Sequence, residues 1–175
     1  MKDIDFSKSH CGVMLCTLSQ TLEFMPELEQ VLEELTPELE MGWDDYLIDV
    51  KVHMLMPNQF PCIPNWHFDF RPRDENGELD KSFDVNGELP KMYMWLSGSP
   101  LTLYKSRDGE EYEKPAKQWH SFTQADLHRG QMSEEHTWRC FIRVIPKKFV
   151  HGFTKNVGTR RIHTQVYCDS RTFHW

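Results

Sequence analysis

The sequence predicts a mainly β protein, an antiparallel sandwich or barrel with α-helices packed outside it. Three observations carry that expectation. Apolar residues recur at helical spacing near the N-terminus, short segments of period-two alternation follow at close intervals, and turn dipeptides separate them. At 175 residues the chain suits one domain with a sizeable core, and it contains no internal repeat, low-complexity tract or dividing linker. Residues 1–45 read as helical support, 46–145 as the β core, and 146–175 as a basic C-terminal extension.

Leu22, Met25, Leu28, Leu32 and Leu35 form one stripe, and Glu23, Glu27, Glu29, Glu33 and Glu34 fill much of the rest, which predicts an amphipathic helix lying on a core. Thr36-Pro37-Glu38 reads as a break and restart, with Thr36 as N-cap and Pro37 at the first helical position. After Trp43 the period becomes two. Ile48, Val50, Val52, Met54 and Met56 alternate with Asp49, Lys51, His53 and Leu55, a strand with one buried face. Pro57, Pro61 and Pro64 make a rigid connection to a short strand over 65–70. Residues 71–90 are polar, with turns at Asn76-Gly77 and Asn86-Gly87, and read as a mobile loop or long hairpin. Strands are expected over 92–96, 101–104, 119–123, 127–129 and 138–145, with further alternation over 161–168 and a charged loop over 107–117.

Hydrophobic residues at 39% and charged residues at 27% place the chain among soluble globular proteins. No apolar run approaches the ~20 residues needed to span a bilayer, and Met1 to Lys8 is too polar for a secretory signal. Cys11, Cys16, Cys62, Cys140 and Cys168 are odd in number and lack CxxC spacing. That argues against a structural zinc site or disulfide framework and for a reduced, cytoplasmic setting. The net charge of −7 is uneven: residues 146–175 carry +5 and the remainder −12. This pattern fits a solvated acidic helix face balanced by a basic tail, or a basic surface that steers an anionic substrate or partner.

Chemistry concentrates in two segments. The first is Trp66-His67-Phe68-Asp69. The second is Leu127-His128-Arg129-Gly130, running on to Trp138-Arg139-Cys140-Phe141-Ile142-Arg143. In a strand, residues two apart share a face, so His67 and Asp69 aim side by side while Phe68 points away, and a neighbouring strand is free to add His128. Two imidazoles and one carboxylate on one face of a metal leave the other face open, the ligand set of non-haem Fe(II) oxygenases. Arg139, Phe141, Arg143 and Ile145 share one face of their strand, and Trp138, Cys140, Ile142 and Val144 the other. An arginine inside a strand buried on both sides needs an anion. The partner is either a protein carboxylate, for instance Asp126 or Glu134, or a bound anionic ligand.

His-x-Asp, a histidine about 59 residues later, and arginines 11 and 15 residues beyond it resemble the Fe(II)/2-oxoglutarate-dependent dioxygenases, in particular small members of that superfamily. The resemblance covers roughly residues 48–145. It implies a double-stranded β-helix, a cupin-like jelly roll. It further implies iron ligands His67, Asp69 and His128, and O2 as oxidant. Arg139 matches the arginine on the far carboxylate of the 2-oxoglutarate co-substrate, and Arg143 either shares that task or holds an anionic group of the substrate. The reaction implied is hydroxylation, or demethylation through a hydroxymethyl intermediate, with release of succinate and CO2. Tyr93, Trp95 and Thr102 are candidates, by location, for the residue that assists co-substrate binding. The loop Asn76–Gly87 and the basic tail are candidates for a lid.

His53, His120 and His136 read as ordinary surface or partly buried histidines, and His151, His163 and His174 are too scattered for a site. Trp66, Trp119 and Trp138 read as core or pocket walls, with Trp66 beside the metal strand. Two other readings stand beside the oxygenase: a catalytically inactive jelly-roll binding module, and a cupin-like metalloenzyme that does not use 2-oxoglutarate. No nucleic-acid motif is present and the acidic balance argues against a polynucleotide, while the basic tail keeps a nucleotide or modified base open. Substrate identity and oligomeric state are not written in the sequence.

Overall fold

The structure, a computed structural model, describes residues 4–150, 158–161 and 164–168. Helix α1 (Leu18–Phe24) starts from a reciprocal cap. The Thr17 hydroxyl accepts from the Gln20 N–H, and the Gln20 side chain accepts from the Thr17 N–H. Pro26 cannot continue the ladder, so a 3-10 turn over Pro26–Leu28 precedes helix α2 (Glu29–Leu35). The single helix expected is therefore two short ones, although Met25, Leu28, Leu32 and Leu35 all reach the core. The restart expected at Thr36-Pro37 amounts to one 3-10 turn over Thr36–Glu38, and the Thr36 hydroxyl accepts from the Trp43 indole instead of capping a helix. No helix among the described residues is long and apolar enough to cross a membrane.

Among the described residues the strands are β1 (Val13–Met14), β2 (Tyr46–Leu55), β3 (Gln59–Phe60), β4 (Met92–Leu96), β5 (Thr102–Lys105), β6 (Glu111–Glu113), β7 (His120–Phe122), β8 (Leu127–Gly130), β9 (Thr137–Pro146), β10 (Thr159–Arg160) and β11 (Tyr167–Cys168). The expected strands over 92–96, 119–123, 127–129 and 138–145 are all present, and β6 lies inside the segment read as a charged loop. Ile162 and His163, within the expected alternation over 161–168, fall outside the described residues.

All pairings are antiparallel. The larger sheet has the order β2-β9-β4-β7 and the smaller β6-β5-β8, with β1-β10 and β11-β3 as separate pairs. The segment expected as a strand over 65–70 is reduced to one antiparallel bridge between His67 and His128, which sets it beside β8. With that segment counted as second and β3 left aside, chain order from Tyr46 reads 1-8-3-6 across the larger sheet and 2-7-4-5 across the smaller.

The larger sheet is covered on both faces. Ile48, Val50, Val52, Tyr93, Trp95, Cys140, Ile142 and Val144 pack against Met25, Leu28, Val31, Leu32 and Leu35 of the helical layer. Each fully buried Val, Leu or Ile contributes about 1.5–3 kcal/mol. The opposite face carries Met92, Met94, Leu96, Phe122 and Phe141 against Tyr104 of the smaller sheet. Strand β9 is thus buried on both sides, as its sequence predicts.

Strand β2 corrects its expectation. Its second face is buried too, with Asp49 3% and His53 1% exposed, while Met54 and Met56 lie open. The reason is cover from across the sandwich and from the chain's end: Thr164 donates to the Val52 carbonyl, and β11 pairs with β3. Residues 71–90 carry an Asp74–Gly77 turn and an Arg73–Leu79 bridge, and Arg107 fastens their far end by donating to Asn86 Oδ1 and the Val85 carbonyl.

Candidate metal centre

His67, Asp69 and His128 converge, with one donor atom from each lying within 4.8 Å of the others. Donors at ~2.1 Å from one metal ion span at most ~4.2 Å, so small side-chain adjustments close the set. Local structure points the right atoms inward. His67 Nδ1–H donates to the Asn65 carbonyl at 2.8 Å and His128 Nδ1–H to the Asp126 carbonyl at 3.0 Å. A carbonyl only accepts, so each Nδ1 carries the proton and each Nε2 presents its lone pair. His128 Nε2 stands 3.7 Å from Asp69 Oδ2.

Two backbone features fix the segment. Phe70, immediately after Asp69, adopts φ 53°, a left-handed conformation rare for an aromatic residue. It is held there by the Gln124 amide on its carbonyl, by Phe149 stacked on its ring and by the Arg143 guanidinium 5.1 Å from the ring centre. At the end of β8, a Cβ on Gly130 would stand 2.7 Å from Cys62 Sγ and 2.8 Å from the Cys62 carbonyl oxygen, so glycine lets these two segments approach each other beside the site.

The three donors line a cleft of about 130 Å³, shared with Lys51, Cys62, Thr102, Phe141, Arg143 and Tyr167 among others. Burial disfavours charge on Asp69, but Arg143 and His128 outweigh it and hold the carboxyl below its ordinary range. Burial also pushes His128 down, against the pull of Asp69, which favours the neutral imidazole a metal requires.

The two arginines part company. Arg143 Nη1 donates to Asp69 Oδ2 at 2.6 Å and Nη2 to Asp49 Oδ2 at 2.7 Å. Burial opposes its charge, yet the two carboxylates hold it above the usual guanidinium value. Its counter-ions are therefore Asp69 and Asp49, not Asp126, whose carboxylate caps Thr123, nor the exposed Glu134. Asp49 escapes a sequence reading because it alternates with apolar residues like a solvent-facing side chain. It also accepts from the Leu15 N–H and lies 3.6 Å from Arg161. Arg139 is 2% exposed, and its Nε donates to the Pro100 carbonyl. Among the described residues it forms no ion pair. Burial pulls its proton affinity down, and only Cys62 and Cys140 oppose that.

Of the candidates for an assisting residue, Thr102 lines the cleft, whereas Tyr93 and Trp95 face the helical layer. Trp66 lies outside the cleft lining, 5.0 Å from both Lys105 and Arg129. Trp119 packs under the helices, and Trp138 is 40% exposed rather than a wall. His120 Nε2–H donates to the Pro115 carbonyl away from the cleft, His136 is exposed, and His151, His163 and His174 lie outside the described residues.

His53, read as an ordinary histidine, is buried, and neither ring nitrogen has a well-formed hydrogen bond among the described residues. Burial, with Arg139 and Lys51 adding to it, pushes its pKa down to about 3. Between that value and the ordinary ~6.5 the unfolded chain binds this proton and the folded chain does not, so stability falls as pH drops through the window. His53→Met is expected to remove about 1.4 kcal/mol per pH unit of that slope, measured as chemical-denaturation stability against pH; an unchanged slope would contradict it.

No protein-family model, no curated protein and no solved structure matches the chain.

Proposed function

We propose that this protein is a non-haem Fe(II)- and 2-oxoglutarate-dependent oxygenase that hydroxylates or demethylates a small substrate, on a double-stranded β-helix. One observation carries the reading: two Nε2 atoms and a carboxylate converge in a cleft, while Arg139, buried behind that cleft's lining on the β9 face it shares with Arg143 and 5.9 Å from the ring of the lining residue Phe141, has no carboxylate partner among the described residues. The 1-8-3-6 and 2-7-4-5 strand orders support the jelly-roll assignment, because chain segments alternate between two facing sheets.

The donor set fits the metal. His67, Asp69 and His128 would hold Fe(II), and their grouping on one side leaves the cleft side for co-substrate and O2. When bound, iron with 2-oxoglutarate and O2 supplies oxidation of a substrate C–H bond, with release of succinate and CO2. The chain's own work is orientation. The carbonyls of Asn65 and Asp126 lock both imidazoles, and Asp49 with Arg143 steers Asp69. Arg139 is the better match for the far carboxylate of 2-oxoglutarate, since a guanidinium without a carboxylate partner among the described residues suits a bidentate one, whereas Arg143 is already committed to Asp49 and Asp69. Thr102, on the cleft wall, is the assisting residue of choice.

Anaerobic addition of Fe(II) and then 2-oxoglutarate is expected to give the weak visible charge-transfer absorption of the chelate. Iron binding without that absorption would favour a metalloenzyme that does not use the keto acid, and no iron binding would favour an inactive module. Arg139→Met separates the roles further. A buried charge without a counter-ion is replaced by an apolar isostere at little cost, so thermal stability should hold or rise while 2-oxoglutarate affinity falls about tenfold or more with iron affinity retained. Equal loss of both would make Arg139 structural.

A further inference from the structure

The wall of the cleft beside the metal donors is as informative as the donors themselves. Lys51 lies on β2 between Asp49 and His53 and faces the cleft. Its amine is 5.6 Å from the centre of the Phe141 ring, and among the described residues it forms no ion pair. Asp49, two positions earlier, is already engaged by Arg143, Arg161 and the Leu15 N–H. Asp69 is engaged by Arg143 and belongs to the metal donors. Burial, with Arg143 and Arg161 adding to it, disfavours the charge on Lys51. A half-buried amine that faces a cleft and has no ion pair is a ready partner for an anion bound there.

The charges around the cleft do not balance. Among the described residues, Lys51 and Arg143 on the cleft wall, with Arg139 beside Phe141 and Arg161 beside Asp49, stand against Asp49 and Asp69, and a divalent cation on the triad would add to the surplus. A dicarboxylate co-substrate held by Arg139 leaves Lys51 still without a partner. The cleft, at about 130 Å³, lies far below the ~300–1,000 Å³ of sites for drug-sized ligands, which favours a small molecule.

We propose that the substrate is a small oxyanion, bearing a carboxylate, sulfonate or phosphate, and that Lys51 grips that group beside the metal. This rests on the oxygenase reading for the word substrate; the anion site itself does not. Lys51 fixes specificity by a point charge with three donors, which accepts any of the three headgroups, whereas Arg143 is spent on holding Asp49 and Asp69 together.

The test uses acetate, methanesulfonate and methylphosphonate as probes and acetamide as the neutral control, followed by saturation-transfer NMR of their methyl protons on the full chain loaded anaerobically with Fe(II) and 2-oxoglutarate, and again without metal. At least one anion is expected to bind saturably and acetamide not to bind. Lys51→Met should weaken that anion about tenfold or more while 2-oxoglutarate affinity moves by less than about twofold, and Lys51→Arg should retain most of the binding. Absence of binding by all three anions overturns the proposal. So does an equal loss of 2-oxoglutarate affinity in Lys51→Met, which would make the amine a co-substrate group. Anion binding that survives in a protein unable to take up iron would sink the oxygenase reading and uphold the anion site.

Discussion

Asp69→Asn is expected to lower Fe(II) affinity by about 100-fold or more while leaving the fold of the metal-free protein nearly unchanged. The asparagine keeps the shape and one oxygen that accepts from Arg143 Nη1, so the 2.6 Å contact has a successor. What it removes is the anion of the donor set. Loss of mere outer-shell partners costs about 10–100-fold in metal affinity, and a charged first ligand to a hard divalent ion is worth at least the upper end. The measurement is anaerobic titration of Fe(II), or of Co(II) as an oxidation-resistant substitute, with thermal unfolding of the metal-free protein alongside. Wild-type affinity in the variant would place the metal elsewhere. A large drop in the metal-free melting temperature would mean that the charge of Asp69 serves the fold more than the metal. The geometry argues against that outcome, because Arg143 retains Asp49 at 2.7 Å when Asp69 is neutralised.

How far the sequence discloses this site depends on which contacts are local. The triad is legible because His67 and Asp69 are two residues apart and both imidazoles use a carbonyl two residues away, Asn65 for His67 and Asp126 for His128. Strand β9 is legible because apolar residues occupy both of its faces. The partners of Arg143 are not, since they lie 74 and 94 residues away in sequence and nothing local distinguishes Asp49 or Asp69 from Asp126 as a counter-ion. The polar face of β2 misleads for a related reason. Asp49, Lys51 and His53 have the alternation of a solvated edge, and only cover from the facing sheet and from residues 164–168 turns that face inward, with Lys51 on the cleft wall. The helical stripe is read correctly as a buried face and wrongly as one helix, because burial follows the spacing of the leucines whereas hydrogen bonding stops at Pro26.

Arg143→Met is expected to make the stability of the protein depend on metal. The guanidinium is the charge that lets two buried carboxylates, Asp49 at 4% and Asp69 at 20% side-chain exposure, remain ionised in one place. Removing one partner of such a cluster costs about 3–5 kcal/mol, since the remaining charges stay buried without compensation. Arg161, 3.6 Å from Asp49, softens the loss on that side and leaves Asp69 the more exposed to it. A divalent ion on the triad replaces the missing cation at Asp69, and it no longer has a guanidinium bonded to the same Oδ2. Metal affinity of the folded variant should therefore equal or exceed that of the wild type. Binding to the folded state alone adds about 2.7 kcal/mol when the free ion is at 100 times its dissociation constant, enough to recover most of the deficit. The expected record is a melting temperature well below wild type in chelator that climbs steeply with added Co(II), against a shallower climb in wild type. A variant equally unstable with and without metal would mean that Arg143 acts chiefly through Asp49, as a clamp between β2 and β9, and that its bond to Asp69 is incidental to the metal centre.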